Sequence, residues 1–347
     1  AWHSADMKRF IVATALLTVT PGASANDSSA AVGVGGLELR QNNAVSMDSE
    51  DLFISRQLVK VKYHFTNRSS KDLETLVSFP LPSIPWGIAP YLSEQGYRDW
   101  DNLRFSTKVD GKPVALTRLD RAEVNGEDVS ARLKQLGWPV DYWENYEFME
   151  KLVGLPEKQK TAALKEGLLR RPKDDPKAVE PAWQLVTHIT RKQLFPAGKT
   201  IMVEHEYMPV AGGSVGGALV AEYRKSLDSQ FADYAKQYCI DKAFLTGFDK
   251  AYAAKAKAFK AKGEDYGGIP HMEHWVSYVL KSGANWKGPI KDFRLVIEKD
   301  KPDNLLSFCG TGVKKISPTR FEMRKTNFEP TTDLDILIVE FFDPEKM

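Results

Sequence analysis

Long apolar runs are scarce in this chain. After residue 25 no hydrophobic stretch approaches the roughly 20 residues needed to cross a bilayer, so no transmembrane segment is expected once residues 1–25 are removed. An excess of one charge is missing too: the 48 basic and 46 acidic residues nearly cancel, and a balance of that kind advertises no nucleic-acid partner. No HExxH and no GxSxG occurs, and the glycine-rich stretch Ala211 to Gly217 lacks the Lys-Ser/Thr of a phosphate-binding loop. No motif therefore names a reaction. Cysteine is limited to Cys239 and Cys309, neither in a CxxC spacing.

What is present begins with an export segment. Met7 is followed by Lys8 and Arg9, then by the apolar run Phe10 to Val19, a helix-breaking Pro21-Gly22 and the small-x-small step Ala23-Ser24-Ala25. These are the three parts of a cleavable secretory signal peptide in their required order. Residues 1–6 precede the start at Met7 and carry no export feature. The working chain is expected to begin near Asn26, with a formal charge of +1 once Lys8, Arg9 and Asp6 are gone. In an oxidising compartment the two cysteines are expected to form one bridge. Closing a loop of about 70 residues contributes about 4 kcal/mol on the chain-entropy model. The rival is a reactive or metal-binding thiol pair, which the absence of redox spacing disfavours.

The mature chain reads as mainly β with helical insertions, an antiparallel β-sandwich probed twice by helices. Val59, Val61, Tyr63 and Phe65 alternate with Lys60, Lys62 and His64, and Thr75, Val77 and Phe79 resume that period after Asn67-Arg68-Ser69-Ser70, which predicts a hairpin ending in a rim of Pro80, Pro82 and Pro85. Asp110-Gly111 predicts a second hairpin. Gln184 to Thr190 and Thr200 to Met208 predict a third, turning at Pro196-Ala197-Gly198. Residues 211–217 read as a flexible connector. Late strands are expected near 274–281, 292–298, 304–309, 319–324 and 334–342. The boundaries follow: a signal segment to residue 25, an N-terminal β-sandwich lobe at 26–127, a helical insertion at 128–182, and a C-terminal β-rich lobe at 183–347 with a helix at 231–260.

Candidate chemistry is sparse. In His271-Met272-Glu273-His274 imidazole and carboxylate donors cluster, so His271, Glu273 and His274 are candidate ligands of a divalent metal, the one cofactor considered. Strand geometry argues against the trio, because His271 and Glu273 would share a face and His274 would point away. His64, His188, His205 and Glu206 lie on other strands. Loop aromatics form two further concentrations: Trp86, Tyr91, Tyr97 and Trp100, then Trp138, Tyr142, Trp143 and Tyr146. Trp86, Trp100, Trp138, Tyr142 and Trp143 are candidates for stacking on a saccharide or burying an apolar ligand. The simpler alternative is that they cover the sandwich ends as core.

Several segments resemble one family. They include Ala25-Asn26-Asp27-Ser28-Ser29-Ala30, Gly35-Gly36-Leu37, Ser49-Glu50-Asp51-Leu52 with Ile54-Ser55, and Leu76-Val77-Ser78-Phe79-Pro80-Leu81-Pro82. Later come Gly283-Ala284-Asn285-Trp286-Lys287-Gly288-Pro289-Ile290, Ser307-Phe308-Cys309 and Lys315-Ile316-Ser317-Pro318-Thr319. Together they resemble the exported bacterial proteins of domain-of-unknown-function family 4424. The resemblance implies a secreted or periplasmic protein of a Gram-negative bacterium and assigns no catalytic residue. Phe79-Pro80-Leu81-Pro82 is also similar to the β-sandwich domain of inter-alpha-trypsin inhibitor heavy chains, which bears on fold alone. The expected function is a non-enzymatic binding or scaffold protein of the cell envelope, whose partner is an envelope component, a saccharide or a periplasmic protein. The alternative is an envelope glycan or peptide hydrolase, metal-assisted.

Overall fold

The computed structural model describes residues 27–33, 36–39, 41–82, 104–142, 145–172, 175–209, 211–226, 228–263 and 270–342. Its strands follow the alternation in the sequence. Along Val59–Asn67, Val59, Val61, Tyr63 and Phe65 are buried while Lys60 and Lys62 are exposed, as a strand with one face on a core requires.

The largest sheet runs in the order β18 (Lys314–Lys315), β19 (Arg320–Phe328), β16 (Ile290–Glu298), β3 (Val45–Ile54), β4 (Val59–Asn67), β13 (Thr200–Tyr207), β6 (Ser106–Val109) and β7 (Lys112–Pro113). Its pairs are antiparallel except β16 with β3. A second sheet runs β2 (Gly36–Leu39), β1 (Ser28–Gly33), β5 (Leu73–Pro80), β12 (Gln184–Phe195), β8 (Thr117–Val124) and β9 (Glu127–Asp128). A third runs β14 (Ala211–Val215), β15 (His271–Tyr278), β20 (Leu334–Phe341) and β17 (Leu305–Phe308). A short ladder pairs β10 (Leu169–Arg170) with β11 (Glu180–Pro181). The three large sheets close on one core: Val61 and Phe65 from the first, Phe79 and Ile189 from the second, and Val276 and Ile336 from the third belong to a single cluster. Each such side chain contributes about 1.5–3 kcal/mol by leaving water.

Two of the three expected hairpins are crossings between sheets. β4 pairs with β3 and β13, whereas β5 pairs with β1 and β12. The connection through Pro196-Ala197-Gly198 likewise leaves β12 in one sheet and β13 in the other. The crossings lie side by side, with the Asn67 backbone N–H donating to the Lys199 carbonyl at 3.0 Å and Asn67 Nδ2 to the Phe195 carbonyl at 2.8 Å. Alternation reports which face of a strand is buried; it does not say whether its sequence neighbour lies beside it or across the core. Phe65 meets Phe195 across the core, ring centroids 6.0 Å apart. The Asp110-Gly111 hairpin does form, joining β6 to β7.

The same pairings merge the two expected lobes. β3 and β4, from 26–127, are hydrogen-bonded to β16 and β13, from 183–347, so both segments build one sheet and one core. The helical segment keeps a core of its own. There α1 (Ser130–Leu136), α2 (Tyr146–Val153) and α3 (Glu157–Lys165) bury Leu133, Phe148, Leu152 and Ala163 around Trp183.

The remaining helices, α4 (Ala221–Ser226), α5 (Asp228–Gln237) and α6 (Lys242–Ala261), cover the four-stranded sheet, where Tyr238 and Phe248 pack on Leu337, Val339 and Phe341. The single helix expected at 231–260 is split. Cys239 adopts a left-handed φ of 52°, and the Asp241 side chain accepts the Phe244 N–H at 2.7 Å to open α6. Cys239 is bonded to Cys309 just beyond β17, the bridge expected from the sequence.

Candidate functional site

Outward-facing residues of the eight-stranded sheet form a row of opposed charges. Arg294, Asp51, Lys62, Glu204 and Lys108 are successive neighbours across five strands. Arg294 Nη1 stands 2.9 Å from Asp51 and Lys62 Nζ 3.3 Å from Glu204, and in the next row Lys60 Nζ stands 2.9 Å from Glu206. Pairs this exposed contribute about 0–1 kcal/mol each, so they do little to hold the fold. With Phe53 and Ser106 they line a groove of about 360 Å3. Lys108, opposite Glu204, has no ion-pair partner among the described residues.

Beneath the groove lies a buried polar cluster. On β12 the positions Leu185, Ile189 and Phe195 point into the core, and Arg191 shares their parity. A buried guanidinium needs an anion, and Asp27 supplies it: Arg191 Nη1 and Nη2 donate to its two oxygens at 3.1 and 2.6 Å. Trp286 Nε1 donates to the Asp27 carbonyl. His205 shares the inward parity of Ile201, Val203 and Tyr207 on β13. Its Nδ1 is 2.7 Å from Thr107 Oγ1, and its Nε2 is 3.1 Å from Asp27 Oδ2, close enough for charge attraction although the ring N–H is not aimed at the oxygen. Burial alone would raise the Asp27 carboxyl, but Arg191 and His205 outweigh it and hold it well below the usual carboxylate range. Burial pushes His205 down, and Asp27 opposes it only in part.

The cluster extends from Tyr63 Oη to Tyr278 Oη at 3.0 Å, and Tyr278 donates to Glu50 at 3.4 Å. Glu50 faces inward because an irregularity between Met47 and Ser49 resets the alternation of β3. Burial drives both phenols well above their ordinary value. Hydroxyl, imidazole and carboxylate stand in the order of a nucleophile relay, but Thr107 is 3% exposed, and a substrate has no approach to it.

Strand alternation divides the candidate metal ligands. His271 and Glu273 face the helical layer, while His274 faces the opposite way, where its Nε2 accepts from Arg56 Nη1 at 2.6 Å beside Glu340 at 3.3 Å. Burial, then Arg56, push the His274 imidazole down. Glu273 is fully buried, accepting from the Leu219 N–H at 3.3 Å and from the Tyr234 hydroxyl, which in turn accepts from Trp275 Nε1 at 2.8 Å. The glycine-rich stretch expected to be a flexible connector is an ordered edge strand and cradle: a Cβ on Gly217 would collide with the Glu273 carboxylate. His271 is also fully buried, 3.6 Å from Glu273 Oε1 and against Phe248 and Tyr252, with neither ring nitrogen hydrogen-bonded. His64 and His188 are bound to Ser49 and Ser78 at 2.8 and 3.0 Å. Among the described residues no three His, Cys, Asp or Glu side chains converge as a metal-ligand set.

Of the aromatic candidates, Trp86, Trp100 and Trp143 lie outside the described residues. Trp138 stacks on Trp183 at 6.1 Å, and Tyr142, 2% exposed, meets Trp183 edge-on at 5.3 Å. Both rings serve the core of the helical segment. Asp27, Arg191 and Glu50 were missed by motif reading, although the inward parity of Arg191 among apolar neighbours was a usable signal.

No curated protein matches the chain. Among solved structures, a protein of Legionella pneumophila subsp. pneumophila str. Philadelphia 1, provisionally described as a nutrient binding protein, is similar over 91% of this chain and 70% of its own, at 14% identity and a TM-score of 0.41. The profile of the domain of unknown function DUF4424 matches residues 25–337, and the chain belongs to that family.

Proposed function

We propose that this protein is an exported binding or scaffold protein of the Gram-negative periplasm, working without catalysis, and that it takes its ligand in the groove of the eight-stranded sheet. The groove's chemistry carries the reading: cations and carboxylates alternate at strand spacing across its floor, and Lys108 has no ion-pair partner among the described residues. Such a surface fits a polar ligand that presents both charges with one extra anion, as the amino-acid-bearing fragments of an envelope polymer do. The export segment and the disulfide support the compartment. Calorimetric titration with soluble peptidoglycan fragments should show saturable binding, weakened about tenfold by Lys108→Glu, a change of about 1.4 kcal/mol. Absence of saturable binding, or a variant that binds as the parent does, would sink the reading.

One observation favours a second reading, a metal-assisted envelope hydrolase. His271 is buried with both nitrogens unmet beside the Glu273 carboxylate, and imidazole with carboxylate is a donor pair that zinc accepts. Tag-free protein should then retain zinc through gel filtration, and His271→Phe should not. Folded parent protein that leaves the column metal-free after incubation with zinc rules it out.

A further inference from the structure

The Cys239–Cys309 bond lies at the surface: Cys239 is exposed and Cys309 half-buried. It closes a loop that contains α6, β15, β16 and β17, yet the strands of that loop are held by their own ladders, β15 and β17 to β20, and β16 to β3 and β19. Their side chains Val276, Ile290, Phe293 and Leu295 belong to the main core. The sheets therefore do not depend on the bridge. What depends on it is the corner between α5 and α6, where Cys239 holds the left-handed conformation that Gly, Asn and Asp adopt at least cost.

The two helices that meet at this corner are held unequally. α6 buries Phe248 and Phe259, and its Asp249 is bound to Arg224 of α4. From Gln230 to Gln237 no residue of α5 is fully buried: Phe231 and Tyr234 pack against the sheet half-buried, and the buried Tyr238 follows the end of the helix. The remaining ties are the Tyr234 hydroxyl, which donates to Glu273 and accepts from Trp275, the Ser307 hydroxyl, which donates to the Tyr238 carbonyl at 2.8 Å, and the disulfide. An element with few buried apolar contacts opens at low cost. Under Tyr234 lies the Glu273 carboxylate, fully buried, its other oxygen accepting from the Leu219 N–H.

We propose that Cys239–Cys309 is a redox latch on α5: a dithiol protein cuts the bond by thiol–disulfide exchange, α5 lifts from the four-stranded sheet, and the Glu273 carboxylate opens to solvent. In the exchange one thiolate of the partner attacks Sγ of the exposed Cys239, the bond to Cys309 breaks, and Cys309 leaves as a thiolate that takes up a proton. The partner's second thiolate then attacks the mixed disulfide, so that the partner's two sulfurs become bonded and Cys239 is released and protonated. Two electrons pass from the partner to this protein, and an oxidising disulfide protein reverses the change. No CxxC is needed in this chain, because the dithiol belongs to the partner. The latch would control one half of the donor pair in the second reading above, but it requires no zinc.

Hydrogen–deuterium exchange and carbodiimide labelling of the full chain, oxidised or treated with dithiothreitol or reduced thioredoxin, test this. Reduction should speed exchange in peptides of residues 228–240 by at least about tenfold. It should also bring Glu273, unlabelled in the oxidised protein, within reach of carbodiimide and an amine, while peptides of β3, β4 and β16 keep their protection. Reoxidation should restore the shielding. The Cys239→Ser/Cys309→Ser double variant should behave without reductant as the reduced parent does. The proposal is overturned if the bridge of the folded protein resists both reductants, or if reduction leaves α5 and Glu273 as protected as before. It is overturned equally if the whole chain loses protection together, which would make the bridge a staple of the entire fold. Fragment binding in the groove is measured on the oxidised protein, so a failure here leaves that reading standing.

Discussion

Two buried polar clusters in this protein differ in how completely they are satisfied. At Asp27 the chain brings together a bidentate arginine, an imidazole, a hydroxyl and an indole N–H. At His271 the neighbouring carboxylate is well held by Tyr234 and Leu219, but the imidazole has no hydrogen bond. Both are sealed from water, so solvent cannot explain the difference. A buried charge is tolerated when its partners are in place and is costly when one is removed; a polar group without partners carries its desolvation cost from the outset. The first cluster therefore reads as a keystone, joining the residue that precedes β1 to β12 and β13, and the second as a site that carries a desolvation cost.

The largest effect should come from dismantling the better-satisfied cluster, around Asp27 and Arg191. Asp27→Ala leaves Arg191 buried and uncompensated, and should cost about 3–5 kcal/mol, read as a lowered urea midpoint. A loss under about 1 kcal/mol would mean that Arg191 finds another anion or reaches water.

Acid probes the same cluster more gently. His205 and His274 both have folded-state values pushed below the ordinary imidazole value. From about pH 6.5 downward the unfolded chain takes up protons that the native protein declines, so their stabilisation is present above that range and is lost as pH falls toward the folded values. The slope is at most about 1.4 kcal/mol per pH unit for each group. Asp27 adds to the loss at lower pH, as the medium passes below the ordinary carboxylate value of 3.8. Urea melts at pH 7 and pH 5 should show the acid destabilisation, and His274→Gln should reduce it. A flat profile between them would contradict the depressed imidazoles.

The smallest change should come at the unsatisfied cluster. His271→Phe replaces an imidazole without hydrogen bonds among Phe248, Tyr252 and Phe341, and should alter metal-free stability by no more than about 1 kcal/mol, in either direction. A loss as large as that of Asp27→Ala would show that the imidazole has a structural partner.

Much of the fold was legible because alternation is local. Val59 to Phe65, the late strands, Asp110-Gly111 and the Cys239–Cys309 bridge all rest on residue types and spacings within one segment or on counting. The strand partners were not legible. β4 and β5 read as a hairpin because a turn joins them, yet their apolar faces meet across the core. For the sites, the opposite facing of His271 and His274 followed from strand period alone, and Tyr142 and Trp138 were read as candidates whose simpler role was core. The groove could not be anticipated, since Asp51, Lys62, Glu204 and Arg294 are brought into one row only by pairing β16 with β3 and β4 with β13.

By itself, the sequence determined that this is a mainly β chain with a balanced charge, one cysteine bridge and two helical segments, because each of these depends on composition or short-range periodicity. Only the tertiary structure decided that the two halves share one core, that Asp27 closes on Arg191 of β12, and that Arg294, Asp51, Lys62 and Glu204 fall in one row across the large sheet. Each of these depends on contacts between residues distant in the chain, and neither period nor composition encodes them.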